Sequence, residues 1–502
     1  MNIIWFKRDL RIEDHEALTQ AAKNATILPL YIFEPDLWHQ PDMSYRHYVF
    51  LQDCLRELDM ALSNIGQNLI IKVGNAVDVL EGLYTRHHIE SLWSHQETGN
   101  GWTYERDKTV KCLCKSKNIP WHEPIQNGVI RCLNDRDGWA ARWYHQMKQP
   151  LIDKPLNLQT VAEPIDSLPN CTELGLHEDG LNDLQKGGRI EGIKLLNSFL
   201  HKRGEGYTKD MSSPVTAYES CSRLSAHLAF GTLSIREVFQ ACENRNHDIK
   251  QLPRGKKGKW PSAMRSFSGR LRWHCHFIQK LEDEPRIEFE NMHSAYDSLR
   301  EHDFNNDYFE AWKSGMTGYP MVDSCMRALT VTGWLNFRMR AMVMSFASYH
   351  LWLHWRKPAL HLANLFTDYE PGIHYSQVQM QSGTTGINAI RIYNPIKQGI
   401  DHDPKGVFIR HWIPELLDMD QAFIHTPWQS ASQMNGYPMP IVDEKTARKL
   451  AADKLYGLRR NNSTHKEMAQ KILNKHGSRK SGLPRKVGKK KIKNHTQGEL
   501  FS

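Results

Sequence analysis

Residues 2–33 read NIIWFKRDLRIEDHEALTQAAKNATILPLYIF. Two apolar runs, Asn2–Phe6 and Ala25–Phe33, flank a charged stretch, and each has the length of a buried strand. Two further runs follow, Leu69–Val73 (LIIKV) and Ile89–Ser94 (IESLWS). Between them, Arg46–Ile65 places Val49, Leu51, Leu55, Leu58 and Leu62 near helical spacing, and Ala76–Tyr84 repeats the pattern over a shorter span. Strands alternating with helices predict a parallel sheet with right-handed crossovers. Residues 1–133 are thus expected to form a doubly wound α/β domain.

Outward from there the pattern changes twice. Residues 134–186 are rich in Pro, Asn and Asp and read as a long interdomain linker laid over the surface. Residues 187–475 read as helical, most clearly at Asp323–Leu329, Asn336–Trp355 and Thr446–Lys475. Within them Phe366–Asp403 is Gly-rich and polar, and is expected to be a long loop carrying function. Residues 476–502 read as a basic, disordered tail. The expected fold class is α/β plus all-α.

Composition sets the outer limits. The chain has 502 residues, 40% of them hydrophobic and 24% charged, a globular balance with enough length for two or three domains. No stretch approaches the roughly 18 apolar residues of a membrane span. The opening apolar run is too short for a signal-peptide core. Nine cysteines without regular spacing suit reduced thiols in the cytoplasm. The net charge is +9, and eight Lys and Arg between Arg479 and Lys493 account for nearly all of it. Such a tail attracts polyanions, and fifteen tryptophans offer surfaces on which bases or aromatic cofactors stack. There is no GxGxxG after the first strand and no GxxxxGK[ST], so the usual phosphate cradles are missing.

Six blocks in order carry a more specific signal. WFKRDLRIEDHEAL near the start resembles the opening of the DNA photolyase/cryptochrome family, which reads WFRRDLRxxDNxAL. CSRLSAHLAFGTLSIR, from Cys221, resembles the family's flavin-phosphate loop, TSRLSPYLAxGxLSxR. TGYPMVDSCMRAL (317–329), TGWLNFRMR (332–340), RIYNP (391–395) and FIRHWIPEL (408–416) complete the series. The resemblance implies FAD bound in the helical domain and a second, antenna chromophore (pterin, deazaflavin or flavin) in the α/β domain. It also implies a partner, ultraviolet-damaged DNA, with a pyrimidine dimer flipped out of it. A monomer without membrane or protein partner is the expectation.

The family's flavin ligands fall on Tyr207, Cys221, Ser222, Arg223, Leu224 and Ser225, whose hydroxyls, amides and guanidinium suit a pyrophosphate where a helix starts. Cys221 stands where Thr is usual and removes a hydroxyl. Arg338 matches an arginine near flavin and DNA, while Arg340 is expected to pair with Asp368 over the flavin, with Glu370 also in contact. Trp273 resembles the wall on which the lesion stacks, with Arg270, His274 and Arg338 beside the DNA. Arg270 replaces a glutamate that accepts a hydrogen bond from the dimer, which a cation cannot do; it remains a candidate for the flavin or a phosphate.

The loop after Asp368 departs most from the family. Counting from Asp368 puts His374 where an asparagine faces the flavin, with Val378 and Met380 at two tryptophan positions. Counting back from Arg391 puts Gly372 there instead. Trp355 matches the middle member of the family's electron-transfer chain, and Trp352, Trp412 or Tyr375 are candidates for a detour around the missing tryptophan. Relatives that repair (6-4) photoproducts carry two histidines where this chain has Phe337 and Ala341. For the antenna, Glu97–Asp107 follows the fourth strand, where open α/β sheets hold ligands. No metal site is expected.

The leading expectation is a deoxyribodipyrimidine photo-lyase, splitting cyclobutane pyrimidine dimers with light, with Trp273, Arg338 and His374 as catalytic candidates. The alternatives are a cryptochrome-like blue-light photoreceptor without repair activity, (6-4) repair, and a flavin electron-transfer protein without DNA.

Overall fold

In the computed structural model, the described residues are 1–23, 25–159, 161–179, 181, 184–460 and 463–477. The basic run Arg479–Lys493 lies outside them.

Five parallel strands form one sheet in the order β3-β2-β1-β4-β5. They are β1 (Asn2–Phe6), β2 (Ile27–Phe33), β3 (Ile70–Val73), β4 (Ser91–Trp93) and β5 (Trp121–His122). β1 is central, pairing Asn2 with both Ile27 and Ser91. Both of its faces are covered, and so its sequence is apolar after Asn2. Ile4 and Phe6 pack on one side with the helix Tyr45–Ser63; Ile3 and Trp5 pack on the other with Leu80, Leu83 and Val110. The strand β5, only two residues long, gave no apolar run to read.

The chain reverses direction beside β1 at its C-terminal edge, which places Lys7, Arg8, Asp9 and Arg11 against the helical part. Arg8 donates to the carbonyls of Ala229 and Tyr369, and Arg11 to that of Gly231. Gly231 has φ +68, and a Cβ there would lie 2.1 Å from the Arg8 carbonyl oxygen. From the other side Arg46 donates to the carbonyls of Leu329, Thr330 and Leu365. These contacts join the two halves through backbone acceptors, which fixes their relative position closely.

Four expectations need correction. The linker 134–186 holds a helix, Trp139–Met147, whose Trp139 and Trp143 are buried in the helical domain's core. Its Trp-rich face was obscured by the polar residues around it. The rest of the segment is pinned to the sheet domain by Glu163, which pairs with Lys72, Arg86 and His87. The helix expected to run to Trp355 is Phe337–Ser345, followed by a π-type turn, Phe346–His350, and by Trp352 in the left-handed region at φ 54.

The Gly-rich segment Phe366–Asp403 is not one long loop. It contains the helices Pro371–Ser382 and Pro395–His402. Pro371 opens the first and Gly383, at φ 78, closes it, which is the usual asymmetry of helix ends. Most of this helix is buried on all sides, so no amphipathic period marked it. Thr446–Lys475 is likewise two helices, Glu444–Arg459 and Ser463–His476. Among the described residues no helix is long and apolar enough to cross a membrane.

Candidate active site

Four segments of the helical half converge. The loop before the short helix Ser225–Ala229 brings Cys221, Ser222, Arg223 and Leu224; the turn at Asn336 brings Arg338 and Arg340; Asp368 lies before the helix Pro371–Ser382; and the long helix Trp260–Asp283 carries Arg270 and Trp273.

Arg223 takes a left-handed φ of 60, strain of a kind that clusters at functional sites. Its guanidinium lies between the rings of Tyr218 and Trp334, at 4.2 and 4.3 Å. Its Nε and Nη1 are buried and make no hydrogen bond among the described residues. Arg203, which the motif reading did not single out, braces the loop by donating to the carbonyls of Cys221 and Ser222. Burial pushes the Cys221 thiol up to about 12, so it is neutral. Leu224 is buried, and its amide approaches Ser222 Oγ at 3.4 Å. The helix expected to aim its amide end at an anion is only five residues long, so its dipole is weak; side chains and single amides must do that work.

Arg340 Nη2 donates to Asp368 Oδ2 at 2.8 Å, so the pair read from the sequence forms. Burial raises the Asp368 carboxyl, but Arg340 and Ser225 outweigh it and hold the pKa below the ordinary value. Among the described residues its Oδ1 has no hydrogen-bond partner; nor do Asn336 Oδ1 and Arg338 Nε, all buried. Asn336 was visible in TGWLNFRMR but was passed over there. Leaving several such groups unmet costs about 1–3 kcal/mol each. A ligand with acceptors for the guanidinium groups and donors for the carboxylate and amide would satisfy them, and the pyrophosphate and ring amides of a flavin nucleotide fit that description.

Tyr207 is buried against Phe199 and Phe267, with its phenol beside Arg270. Arg270 is exposed and its guanidinium lies 5.3 Å from the Phe337 ring. Trp273, 40% exposed, rests on His276 and Phe277 at 5.6 and 5.5 Å. His274, one residue on and so turned about 100° around the helix, is not on that face. It lines a cavity of about 490 Å³ between the two halves with Arg8, Gln126 and Asn127. Glu370 lines the same cavity and pairs with Arg8 at 3.2 Å.

His374 is committed to the backbone: its Nε2 donates to the Ala359 carbonyl at 2.9 Å. Burial lowers its pKa to about 4, which keeps it neutral near pH 7. Gly372 is closed off, because a Cβ there would lie 2.6 Å from Ile278 Cα. Trp355 is fully buried and donates from Nε1 to Asn291 Oδ1.

A second site lies at the C-terminal ends of β1, β2 and β4. It encloses about 760 Å³, lined by Trp5, Tyr31, Trp38, Leu51 and Phe230 among others. The segment Glu97–Asp107 contributes Glu97, Gly99, Asn100, Thr103 and Arg106 to its wall. Nearby, Asp9 lies 3.0 Å from His15 Nε2 and 2.8 Å from His95 Nδ1. His15 Nδ1 accepts from the Leu18 amide, so the neutral ring carries its proton on Nε2 and faces Asp9 as a donor, not as a metal ligand.

Residues 2–146 match the family model for DNA photolyase, and residues 267–456 that for the FAD binding domain of DNA photolyase. The chain is 29% identical over 489 residues to cryptochrome-2 of Arabidopsis thaliana, covering 90% of this chain and 78% of that protein. It is 28% identical over 476 residues to the deoxyribodipyrimidine photo-lyase of Streptomyces griseus, covering 89% and 97%. Among solved structures it resembles an archaeal photolyase from Sulfolobus tokodaii with two FAD molecules, at 26% identity and a TM-score of 0.74, over 91% of this chain and all of that one. The two models together match more than half of the sequence, and the chain belongs to the DNA photolyase/cryptochrome family, with that family's FAD-binding domain in its helical half.

Proposed function

We propose that the protein is a deoxyribodipyrimidine photo-lyase that splits cyclobutane pyrimidine dimers in DNA with light. When bound, reduced FAD supplies the photoexcited electron. The residues of this chain hold it and present the lesion. Arg223, Ser222 and Ser225 take the pyrophosphate, and Asn336, Arg340 and Asp368 the ring system. Arg338 stands between flavin and DNA. The observation that carries the reading is the exposed Trp273 indole on the helix that also carries Arg270, whose guanidinium lies 5.3 Å from the ring of Phe337, the residue between Asn336 and Arg338. An indole left 40% exposed next to a cation is a surface on which a flipped-out base stacks while its phosphate is neutralised.

His374 supports the site by position: hydrogen-bonded to Ala359 and neutral, it acts on the shape of the flavin pocket and not as an acid. The 760 Å³ cavity of the sheet domain takes the second chromophore, an aromatic ring stacked among Trp5, Tyr31 and Trp38. One observation favours a photoreceptor without repair: Arg270 stands where an acceptor for the dimer is expected. The deciding experiment is blue-light repair of an oligonucleotide with one thymine dimer by the reduced, flavin-loaded protein, with a dark control. Light-dependent return of the thymines supports the lyase; none, with flavin bound and reduced, moves the reading to (6-4) repair or signalling.

A further inference from the structure

Four buried side chains cross from the helical half into the sheet half. The Trp355 and Tyr375 rings lie 6.5 Å apart, and Tyr375 and Tyr369 also 6.5 Å. The two phenol oxygens are 3.3 Å apart, and Tyr369 donates its hydroxyl hydrogen to Asp42 Oδ2 at 2.6 Å. Asp42 is buried in the sheet domain and takes a further hydrogen bond from Asn100 Nδ2. Tyr375 stands one helical turn before Val378, which falls on a tryptophan position of the family when the segment is counted from Asp368.

We propose that Tyr375 and Tyr369, with Trp355 beside them and Asp42 as proton acceptor, form the relay that supplies electrons to the oxidised flavin after it absorbs light. The inference rests on the FAD site proposed above. Tyr375 gives one electron to the excited flavin and recovers it from Tyr369. The Tyr369 O–H bond breaks, its proton passes to Asp42 Oδ2, and a neutral phenoxyl radical remains. An external thiolate then gives one electron to the phenoxyl oxygen and becomes a thiyl radical, two of which couple to a disulfide, while Asp42 gives the proton back to the phenolate. Tyr369 lines the 760 Å³ cavity, which gives a small thiol a route to it when no second chromophore fills the space.

The surroundings of the other candidates argue against them. Trp352 lies under Arg300 and Lys454, at 4.5 and 4.4 Å, and two cations oppose a tryptophan radical cation. Among the described residues, Trp412 contacts the rings of Phe408 and His411 alone. Trp355 Nε1 faces a neutral amide, so no base takes its proton. Tyr369 alone in this group has a carboxylate in line with its O–H. His47 stacks on Tyr369 at 5.8 Å, and burial lowers its pKa to about 4, so it brings no competing charge.

The test is transient absorption and electron paramagnetic resonance of flavin-loaded, oxidised protein under blue light with thiol, in H2O and D2O. A neutral tyrosyl signal with slower formation in D2O is expected. In Tyr369→Phe that signal disappears. In Asp42→Asn the solvent isotope effect disappears, and steady photoreduction falls by about a hundredfold, the scale of losing a placed general base. Tyr375→Phe loses the signal with Tyr369 intact. The relay is overturned if folded Tyr369→Phe and Tyr375→Phe, with full flavin content, photoreduce at the parent rate. A protein that holds no flavin overturns the flavin reading and the relay together.

Discussion

The cavity in the sheet domain and the site in the helical domain handle buried charge in opposite ways. Around the first, Arg106 pairs with Glu34 and Glu97 at 2.7 Å and Asp107 at 2.9 Å, while Lys7 pairs with Glu97 and Asp107. Trp5 lies under the Arg106 guanidinium at 4.7 Å. Each charge there meets its opposite without a ligand. In the second, Arg223, Arg338, Asn336 and Asp368 keep unpaired buried atoms. Among the described residues the first site leaves one lining atom unmet, Glu34 Oε1, and can admit an optional, mostly apolar guest. The second is finished only by a polar ligand, so its stability is tied to the cofactor.

Substitutions in the two sites test that contrast. Arg106→Met strands Glu34 in a dry interior, leaves Glu97 with Lys7 alone, and is expected to cost about 3–5 kcal/mol in denaturant unfolding, flavin present or absent. Arg223→Met should leave flavin-free protein about as stable as the parent, but weaken flavin binding by about 2–3 kcal/mol, measured by titration. If Arg223→Met destabilises the flavin-free protein as much as Arg106→Met, the contrast fails.

Acid sharpens the same comparison. The folded pKa of His95 is lowered to about 3, chiefly by burial and then by His15, whereas the unfolded value is near 6.5. The unfolded chain takes up that proton first. The contribution of His95 is therefore complete above about pH 6.5 and is lost as pH falls from there toward 3, at about 1.4 kcal/mol per pH unit. Unfolding at several pH values should show that slope, and His95→Gln should flatten it. The smallest effect is expected from Trp273→Ala, because the ring is half outside the fold. Binding of dimer-containing DNA should weaken by about 1–3 kcal/mol with flavin content unchanged. Loss of flavin with unaltered DNA binding would place Trp273 in the wrong site.

How much was legible varied with the kind of signal. β1 and β2 could be read because a strand covered on both faces is apolar without interruption, and they ended within two residues of the expected bounds. The Arg340–Asp368 pair was readable through its motif blocks. The helix Pro371–Ser382 was not, because burial on nearly every side leaves no period to see. His274 was placed on the DNA side by its neighbour in sequence, yet a helix turns adjacent residues to different faces, and it lines the interdomain cavity instead.

Local pattern by itself determined the parallel sheet, the helical second half, the loop Cys221–Ser225 and the flavin family to which they belong. Such features depend on neighbours a few residues apart, where side-chain period and backbone geometry leave a trace in the chain. Tertiary structure alone decided that Tyr369 meets Asp42, 327 residues away, and that Arg8 spans to Glu370. A pairing between distant residues depends on how two domains pack, and packing is set by the sum of many contacts, none of which leaves a period in the sequence.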